Sequence, residues 1–513
     1  MPALVQRLVN RQNRWTLVAA FATTAFVVFF AANFWSNQPF TLDAFVRFVV
    51  VAAVYSSIYG IAASGLVVTY TTSGIFNFAQ GAMGMFFAFV YWQLKADPAT
   101  TSGWGVPDIL ALIITVFVIA PLVGAVIERV VMRQLARAPL VAQLVATIGL
   151  LAFFIGLADI IWESNTYRTI GTFFGSSGFN TGDLGVGNVF VPWYQFTTLV
   201  TGVAIAFVLR LVLYRTRLGV AMRAVVDNRD LAGLNGVRPG RVSMFAWALA
   251  SSMAAIAGIF LAQEFGNFDS QGLTLFIVEA FGAAIIGRLR SLPMTMVGGA
   301  ILGISVAFRD SFLDFTGRWA ALGRQGVIPG IILFLALLFL PQARIEGRRS
   351  ATAVAPRVPS LRRAALGFVL FFLLVVLLVA VVSDANLIYV EAGVVVAFIM
   401  LSLVPLTGWA GQISFAQITF VGFGAWAAFE FSSSGGRAFG LDLYPPGSPL
   451  ALVFSALIAV PVGLVMALPA LRLQGLYLAL ASMAFALMAV VVFDFPELYS
   501  NTGVKIVNFK MFG

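Results

Sequence analysis

The sequence predicts an all-α fold, a polytopic transmembrane helical bundle of about fifteen spans built as two homologous modules. Three observations predict it. Apolar runs of about 20 residues, the length that crosses about 30 Å of hydrocarbon, recur along the whole chain. Hydrophobic residues make up 60% of the chain and charged residues only 10%, against roughly 25% charged in an ordinary soluble domain. A short motif around residue 77 returns around residue 414, each time between two apolar runs.

Taken in order, Arg7, Arg11 and Arg14 precede an apolar stretch from Trp15 to Ala32. It reads as a signal anchor rather than a cleaved leader, because the run is long and a second span begins near Ala44. With the first span leaving the cytoplasm, the next fall at Ala44 to Tyr70, Phe78 to Leu94, Ile109 to Val131 and Leu140 to Ile161. Glu128, Arg129, Arg133 and Arg137 then lie on the cytoplasmic side, as the positive-inside rule requires. The stretch from Trp162 to Pro192 has Arg168 as its only Lys or Arg and falls outside.

A span from Trp193 to Leu213 returns to a loop carrying Arg215, Arg217, Arg223, Arg229, Arg238 and Arg241, which is cytoplasmic by the same rule. Beyond it come Phe245 to Ala262, two short Gly-broken pieces at Leu275 to Ile286 and Thr295 to Phe308, and Val327 to Leu340. Interrupted helices of this kind are common where protein lines a cavity. From Pro341 to Arg363 the chain is basic and proline-bearing, an extended linker that serves as an orientation signal or meets anionic lipid. Spans follow near Ala364 to Val382, Leu387 to Leu406, Phe415 to Phe431, Ala451 to Leu471 and Leu476 to Phe493. The resulting division is 1–43 for the cytoplasmic tail and extra signal-anchor span, 44–341 for the first module, 342–363 for the basic cytoplasmic linker, and 364–513 for the second module, which reads as incomplete.

The chain contains no Cys and no His. Disulfides and thiolate metal sites are therefore excluded, and the usual nucleophile and general base of a hydrolase are missing. The net charge of +10 resides largely in loop arginines that topology needs, so it points to a lipid bilayer and not to nucleic acid. No metal site is expected.

The repeat is the most informative feature. Ser73-Gly74-Ile75-Phe76-Asn77-Phe78-Ala79-Gln80 recurs as Ala410-Gly411-Gln412-Ile413-Ser414-Phe415-Ala416-Gln417. Gly74 and Gly411 permit a backbone break and serve as hinges, while Asn77 and Ser414 are expected to cap the helix that follows. Gln80 and Gln417 are expected one turn further in. Asn77, Gln80, Ser414 and Gln417 either hold helices together or line a central substrate path, where the amides would meet the ammonium and carboxylate of a zwitterion.

At these residues the chain resembles the permease subunits of bacterial ABC importers for branched-chain amino acids, an H-type subunit followed by an M-type one. Phe76-Asn77-Phe78-Ala79-Gln80-Gly81 looks like the H-type signature and Gly408 to Gln417 like the M-type one. Arg223-Ala224-Val225-Val226-Asp227-Asn228, continuing to Asn235-Gly236-Val237, resembles the cytoplasmic coupling loop. The resemblance implies that this loop docks on separate ATPase subunits at the cytoplasmic face. ATP and Mg would be bound there, none by this chain. An extracytoplasmic solute-binding protein would deliver the substrate, and the chain would sit in the bacterial cell (inner or plasma) membrane as a multi-pass permease and not an enzyme. Ala221, Ala224, Val225 and Leu231 are expected to form the apolar face of the docking element, with Arg223, Asp227 and Arg229 polar.

Two departures stand out. Where the family has a Gly-Gly-x-Gly-Ser-x-Pro turn, this chain reads Gly287-Arg288-Leu289-Arg290-Ser291-Leu292-Pro293. The second module ends at Gly513, before its own coupling loop, so the sequence reads as a fragment of a longer fused permease or, in the alternative, as an asymmetric transporter that has lost its second docking element. The scaffold also suits urea, short amides or other polar metabolites. An ion-coupled secondary transporter is the rival class, but Asp159, Glu264, Glu279, Asp384 and Glu391 are all expected near span ends, where a carboxylate reaches water. A membrane-embedded enzyme would need paired acids at helical spacing, which the sequence lacks.

Overall fold

The computed structural model describes residues 41–96, 103–136, 138–163, 167–175, 177–312, 327–339, 360–434, 437–438, 441–442, 448–471, 473 and 475–493. The chain divides into two units, 1–336 and 337–513. The expected first span, Arg137, and the linker up to residue 359 lie outside the described residues.

In the first unit, α1 (Leu42–Ser73), α2 (Gln80–Lys95), α3 (Asp108–Leu135) and α4 (Leu140–Trp162) follow one another. Short strands β1 (Arg168–Thr169), β2 (Gly178–Asn180) and β3 (Phe190–Pro192) lie in the connection between α4 and the next long helix. Then come α5 (Trp193–Arg215), α6 (Arg217–Asp227), α7 (Arg229–Leu234), α8 (Pro239–Phe265), β4 (Asn267–Phe268), α9 (Ser270–Ile286), α10 (Leu292–Phe312) and α11 (Val327–Phe339). Each of the expected spans among the described residues is a helix. Among the described residues of the whole chain nine helices, six of them in this unit, are long and apolar enough to cross a membrane, and the protein is a polytopic helical membrane protein.

The core of this unit forms around α1, whose 32 residues extend about 48 Å. It starts on Thr41, whose hydroxyl accepts from the Ala44 amide, and packs on α5, α8, α9 and α10. The α1–α10 contact is backbone against backbone. Gly299 and Gly303 of α10 face Ser56 and Gly60 of α1, and a β-carbon added at Gly303 would lie 2.3 Å from the Ser56 nitrogen. This small-xxx-small spacing lets two helices approach closely where the hydrophobic effect gives them no reason to associate.

Two expectations change here. The pieces foreseen as short and Gly-broken are continuous helices of 17 and 21 residues. Asp269 accepts from the Gly272 amide and starts α9 at Ser270, five residues before the expected Leu275, and the α10 glycines serve packing. Second, the span expected to end at Val131 runs four residues further, so that Arg133 is helical too. α3 continues to Leu135 through two π-helical stretches, Thr115–Ile119 and Glu128–Met132. Pro121 cannot donate to the preceding turn, and the first widened stretch accommodates that loss while Ser252 donates to the Val116 carbonyl at 2.9 Å.

The second unit holds α12 (Leu361–Val381), α13 (Asp384–Leu403, continuing as a π-helical stretch Val404–Trp409), α14 (Gln417–Ser434), a hairpin of β5 (Arg437–Ala438) and β6 (Leu441–Asp442), α15 (Leu450–Ala470) and α16 (Leu476–Phe493). α14, α15 and α16 pack on one another. No residue of α12 is buried, and its apolar circumference suits it to lipid.

Candidate functional site

The two copies of the repeat fold alike at the backbone. After α1, Gly74 takes φ +72° and donates to the Tyr70 carbonyl. Gly411, at the same place in the second motif, takes φ +62°. Three residues on, Asn77 Oδ1 accepts from the Ala79 amide at 3.1 Å, and Ser414 Oγ accepts from the Ala416 amide at 3.2 Å. Gln80 opens α2 and Gln417 opens α14.

These bonds correct the expected caps. Asn77 closes a local turn before the helix, whose N-cap is Ala79, without a side-chain cap bond. The glutamines open their helices rather than lying a turn inside. Asn77 and Gln80 are fully buried. Asn77 Nδ2 donates to Gln80 Oε1 at 3.1 Å, and Gln80 Nε2 donates to the Ala250 carbonyl of α8 at 3.2 Å. The first pair thus ties the break to α8. Phe76 and Phe78 pack edgewise on Phe281 of α9, with centroids 5.0 and 5.7 Å away. Ser414 and Gln417 are half-buried, and the Phe415 amide donates to Ser482 Oγ of α16 at 2.8 Å.

On the side facing the basic loop, α6 and α7 form a helical hairpin. Thr216 caps α6, and Gly219, Met222 and Val225 are buried against α1, α5 and α8. Arg223, Asp227 and Asn228 are exposed, and Ala224 is half-buried. Asn228 ends one helix and begins the next, its Oδ1 accepting from the amides of Asp230 and Leu231 at 3.1 and 3.0 Å. Gly236, at φ +82°, closes α7 with paired bonds, Val237 N–H to Ala232 O and Gly236 N–H to Gly233 O. The expected apolar face is therefore redistributed. Val225 faces the bundle, and the break at Asn228 swings Leu231 away from it, so that Leu231 and Leu234, at 55% and 86%, are exposed apolar residues of α7, beside Val220 and Val226 of α6. Leu234 was legible as an apolar residue three places after Leu231, once the break is known.

The Arg-bearing turn after α9 uses the same closure. Leu289 N–H bonds Ala284 O and Arg288 N–H bonds Ile285 O. Arg288, exposed, sits at φ +53° in the position that Gly236 fills after α7. Just after the α6–α7 hairpin in sequence, the Gly240 carbonyl at the start of α8 accepts from Arg133, which also joins the buried Glu128 at 2.8 Å.

One acid lies deeper than expected. Because α9 starts at Ser270, Glu279 falls in its middle, 2% exposed, and accepts from the Tyr59 hydroxyl of α1 at 2.5 Å through Oε2, while Oε1 has no partner. Glu264, near the end of α8, accepts from Gln195 at 3.2 Å, and Asp159 lies in the last turn of α4. Among the described residues, no group of three or more Asp or Glu could hold a metal ion.

At the C-terminal end of α2, Lys95 pairs with Asp108 at 2.9 Å and donates to the Gly171 carbonyl at 2.6 Å. Trp92 Nε1 donates to the Thr169 carbonyl, and the Arg168 guanidinium lies 4.6 Å from the Trp92 ring centroid. β1 pairs antiparallel with β4, Arg168 opposite Phe268 and Thr169 opposite Asn267, which ties this loop to the junction of α8 and α9. A cavity of about 440 Å³ opens between Trp92, Lys95, Tyr167, Arg168 and the Thr169–Gly171 backbone.

A bundle of helices long and apolar enough to cross a membrane, with a buried polar break and a helical hairpin between two of them, has the architecture of a membrane transport component. Residues 48–337 match the family described as branched-chain amino acid transport system / permease component. The chain belongs to that family. It is 28% identical over 290 residues to the high-affinity branched-chain amino acid transport system permease protein BraD of Pseudomonas aeruginosa, covering 56% of this chain and 90% of that protein. It is 28% identical over 301 residues to the probable branched-chain amino acid transport permease protein LivH of Methanocaldococcus jannaschii (56% and 89%), and 26% identical over 288 residues to LivH of Escherichia coli (56% and 90%). No solved structure matches. Family membership makes the chain an integral cell-membrane transport component and not an enzyme, one that works with ATPase and substrate-binding partners.

Proposed function

We propose that this chain is the permease of an ATP-driven importer for branched-chain amino acids. The family match over 48–337 carries the reading. The α6–α7 hairpin supports its coupling role: Met222 and Val225 root it in the bundle while Leu231 and Leu234 stay free to seat in an ATPase subunit. Motion of the hairpin reaches α8 directly at Pro239, where Arg133 also holds Gly240.

In this reading residues 44–341 are the H-type module, 342–363 the cytoplasmic linker and 364–513 the M-type module. The matching turns at Gly74 and Gly411 support the second assignment. Both are the hinges of the broken helices, Asn77 and Gln80 brace the first break, and Ser414 and Gln417 face the solute path. An extracytoplasmic binding protein presents the solute opposite the hairpin.

The test is reconstitution of the full-length protein with its ATPase and binding protein, following labelled leucine with and without ATP. Uptake that requires ATP, and falls when Asp227 and Asn228 are replaced by Ala in folded protein, supports the importer. Glu279, a buried acid in mid-helix, favours the ion-coupled alternative. Uptake on an ion gradient without ATP would establish that alternative, while ATP hydrolysis without leucine movement would reassign the substrate alone.

A further inference from the structure

Arg168 is the single Lys or Arg of the sequence from Trp162 to Pro192, and its surroundings give it a use beyond topology. It lies in the wall of the cavity at the C-terminal end of α2, with its guanidinium stacked on Trp92. One amino group donates to the Trp162 carbonyl. Its Nε is buried without an acceptor, and among the described residues no carboxylate pairs with it. The neighbouring Lys95 differs, since Asp108 already compensates its charge. The cavity therefore presents one uncompensated guanidinium, held flat by an aromatic ring whose own N–H is committed to Thr169.

A guanidinium presents several N–H donors in a fixed fork that matches a carboxylate, and hydrogen bonds between the two ions are roughly twice as strong as neutral ones. The volume falls in the range of small-molecule sites, about 300–1,000 Å³. Tyr167 and Ile170 add apolar wall. Pairing of β1 with β4 fixes the cavity over the junction of α8 and α9, on the side away from the basic cytoplasmic loops.

We infer that this cavity is an outer entry site of the permease, in which Arg168 holds the carboxylate of the amino acid against the Trp92 face. The inference rests on the importer reading and names the group of the solute that this end of the protein receives.

The experiment is binding of radiolabelled leucine to the full-length protein in nanodiscs, without binding protein, set beside ATP-driven uptake by the complete reconstituted system. On wild-type protein, 4-methylpentanoate, which keeps the carboxylate and lacks the ammonium, displaces leucine, and 3-methylbutylamine, which has the reverse pattern, does not. Arg168→Gln weakens leucine binding roughly tenfold or more, the loss of a charge-assisted bond. Displacement by the amine instead of the acid overturns the assignment, even if the variant does not fold. So does equal binding by wild type and Arg168→Gln. If Arg168→Gln weakens only capture of the binding protein, the cavity is a docking contact for that protein's acidic side chains and the entry site is refuted. ATP-driven leucine uptake that persists while any of these fails removes the cavity alone. Absence of such uptake in wild type removes the importer reading and this site with it.

Discussion

The Tyr59 hydroxyl donates to Glu279 Oε2 across 2.5 Å and links the middle of α1 to the middle of α9 inside the first unit. Both side chains are buried, at 1% and 2% exposure. Tyr59→Phe removes the one donor to the Glu279 carboxyl group among the described residues, a loss of about 1–3 kcal/mol for a buried polar group left unsatisfied. Glu279→Gln keeps an acceptor for the hydroxyl and is expected to cost less. Thermal unfolding of the purified full-length protein in nanodiscs measures both, and a Tyr59→Phe protein as stable as wild type would show that the bond contributes nothing. The same Glu279→Gln protein is expected to retain ATP-driven leucine uptake, because the importer draws its energy from ATP, whereas an obligatory proton carrier would stop.

That pair also marks where sequence reading reached its limit. Apolar run length located every span among the described residues, since hydrocarbon thickness leaves little choice of length. The repeat was legible because Gly74 and Gly411 are held to a backbone that side chains resist, and so were their partners three residues on. Glu279 was misplaced because helix starts are set by a single capping bond, here Asp269 to Gly272, which hydropathy does not register. Val225 does not share the exposed face expected of it with Leu231, because the Asn228 cap inserts a break within an otherwise helical pattern. The Arg168 cavity was out of reach altogether, since it depends on β1 finding β4 about a hundred residues away.

Arg288 and Gly236 occupy the same left-handed position after two different helices. A side chain there costs roughly 1–2 kcal/mol relative to glycine. Arg288→Gly is therefore expected to raise stability by about 1 kcal/mol, and Gly236→Ala to lower it by a similar amount. Paired melting curves check the signs. If Arg288→Gly loses ATP-driven uptake while gaining stability, the guanidinium is held in its strained turn for contact with a cytoplasmic partner.

The α1–α10 seam predicts a larger effect. A β-carbon at Gly303 would meet the Ser56 nitrogen at 2.3 Å, so Gly303→Ala forces two backbones apart. Overpacking of this kind costs about 1–3 kcal/mol. Gly367, in α12, has open space at the same distance and serves as the control. Gly303→Ala is expected to reduce the yield of folded protein in membranes, and Gly367→Ala to leave it unchanged. Equal yields would mean that the helices close with some other register.

Leu234 gives the sharpest test of the coupling hairpin, because its 86% exposure removes folding from the question. Leu234→Asp puts a charge where an apolar docking residue is proposed, yet disturbs no contact within the chain's buried face of Gly219, Met222 and Val225. Protein stability is expected to stay within about 0.5 kcal/mol of wild type, while association with the ATPase weakens and solute-stimulated ATP hydrolysis falls with it. Asn228→Ala acts differently. It removes the cap on α7, loosening the helix that carries both leucines by about 1 kcal/mol, and so predicts weaker association together with faster amide exchange in 229–234. Were Leu234→Asp to leave ATPase association untouched while Asn228→Ala impaired it, the contact would lie on the polar side of the hairpin, at Arg223 and Asp227, and the docking face would have to be redrawn there.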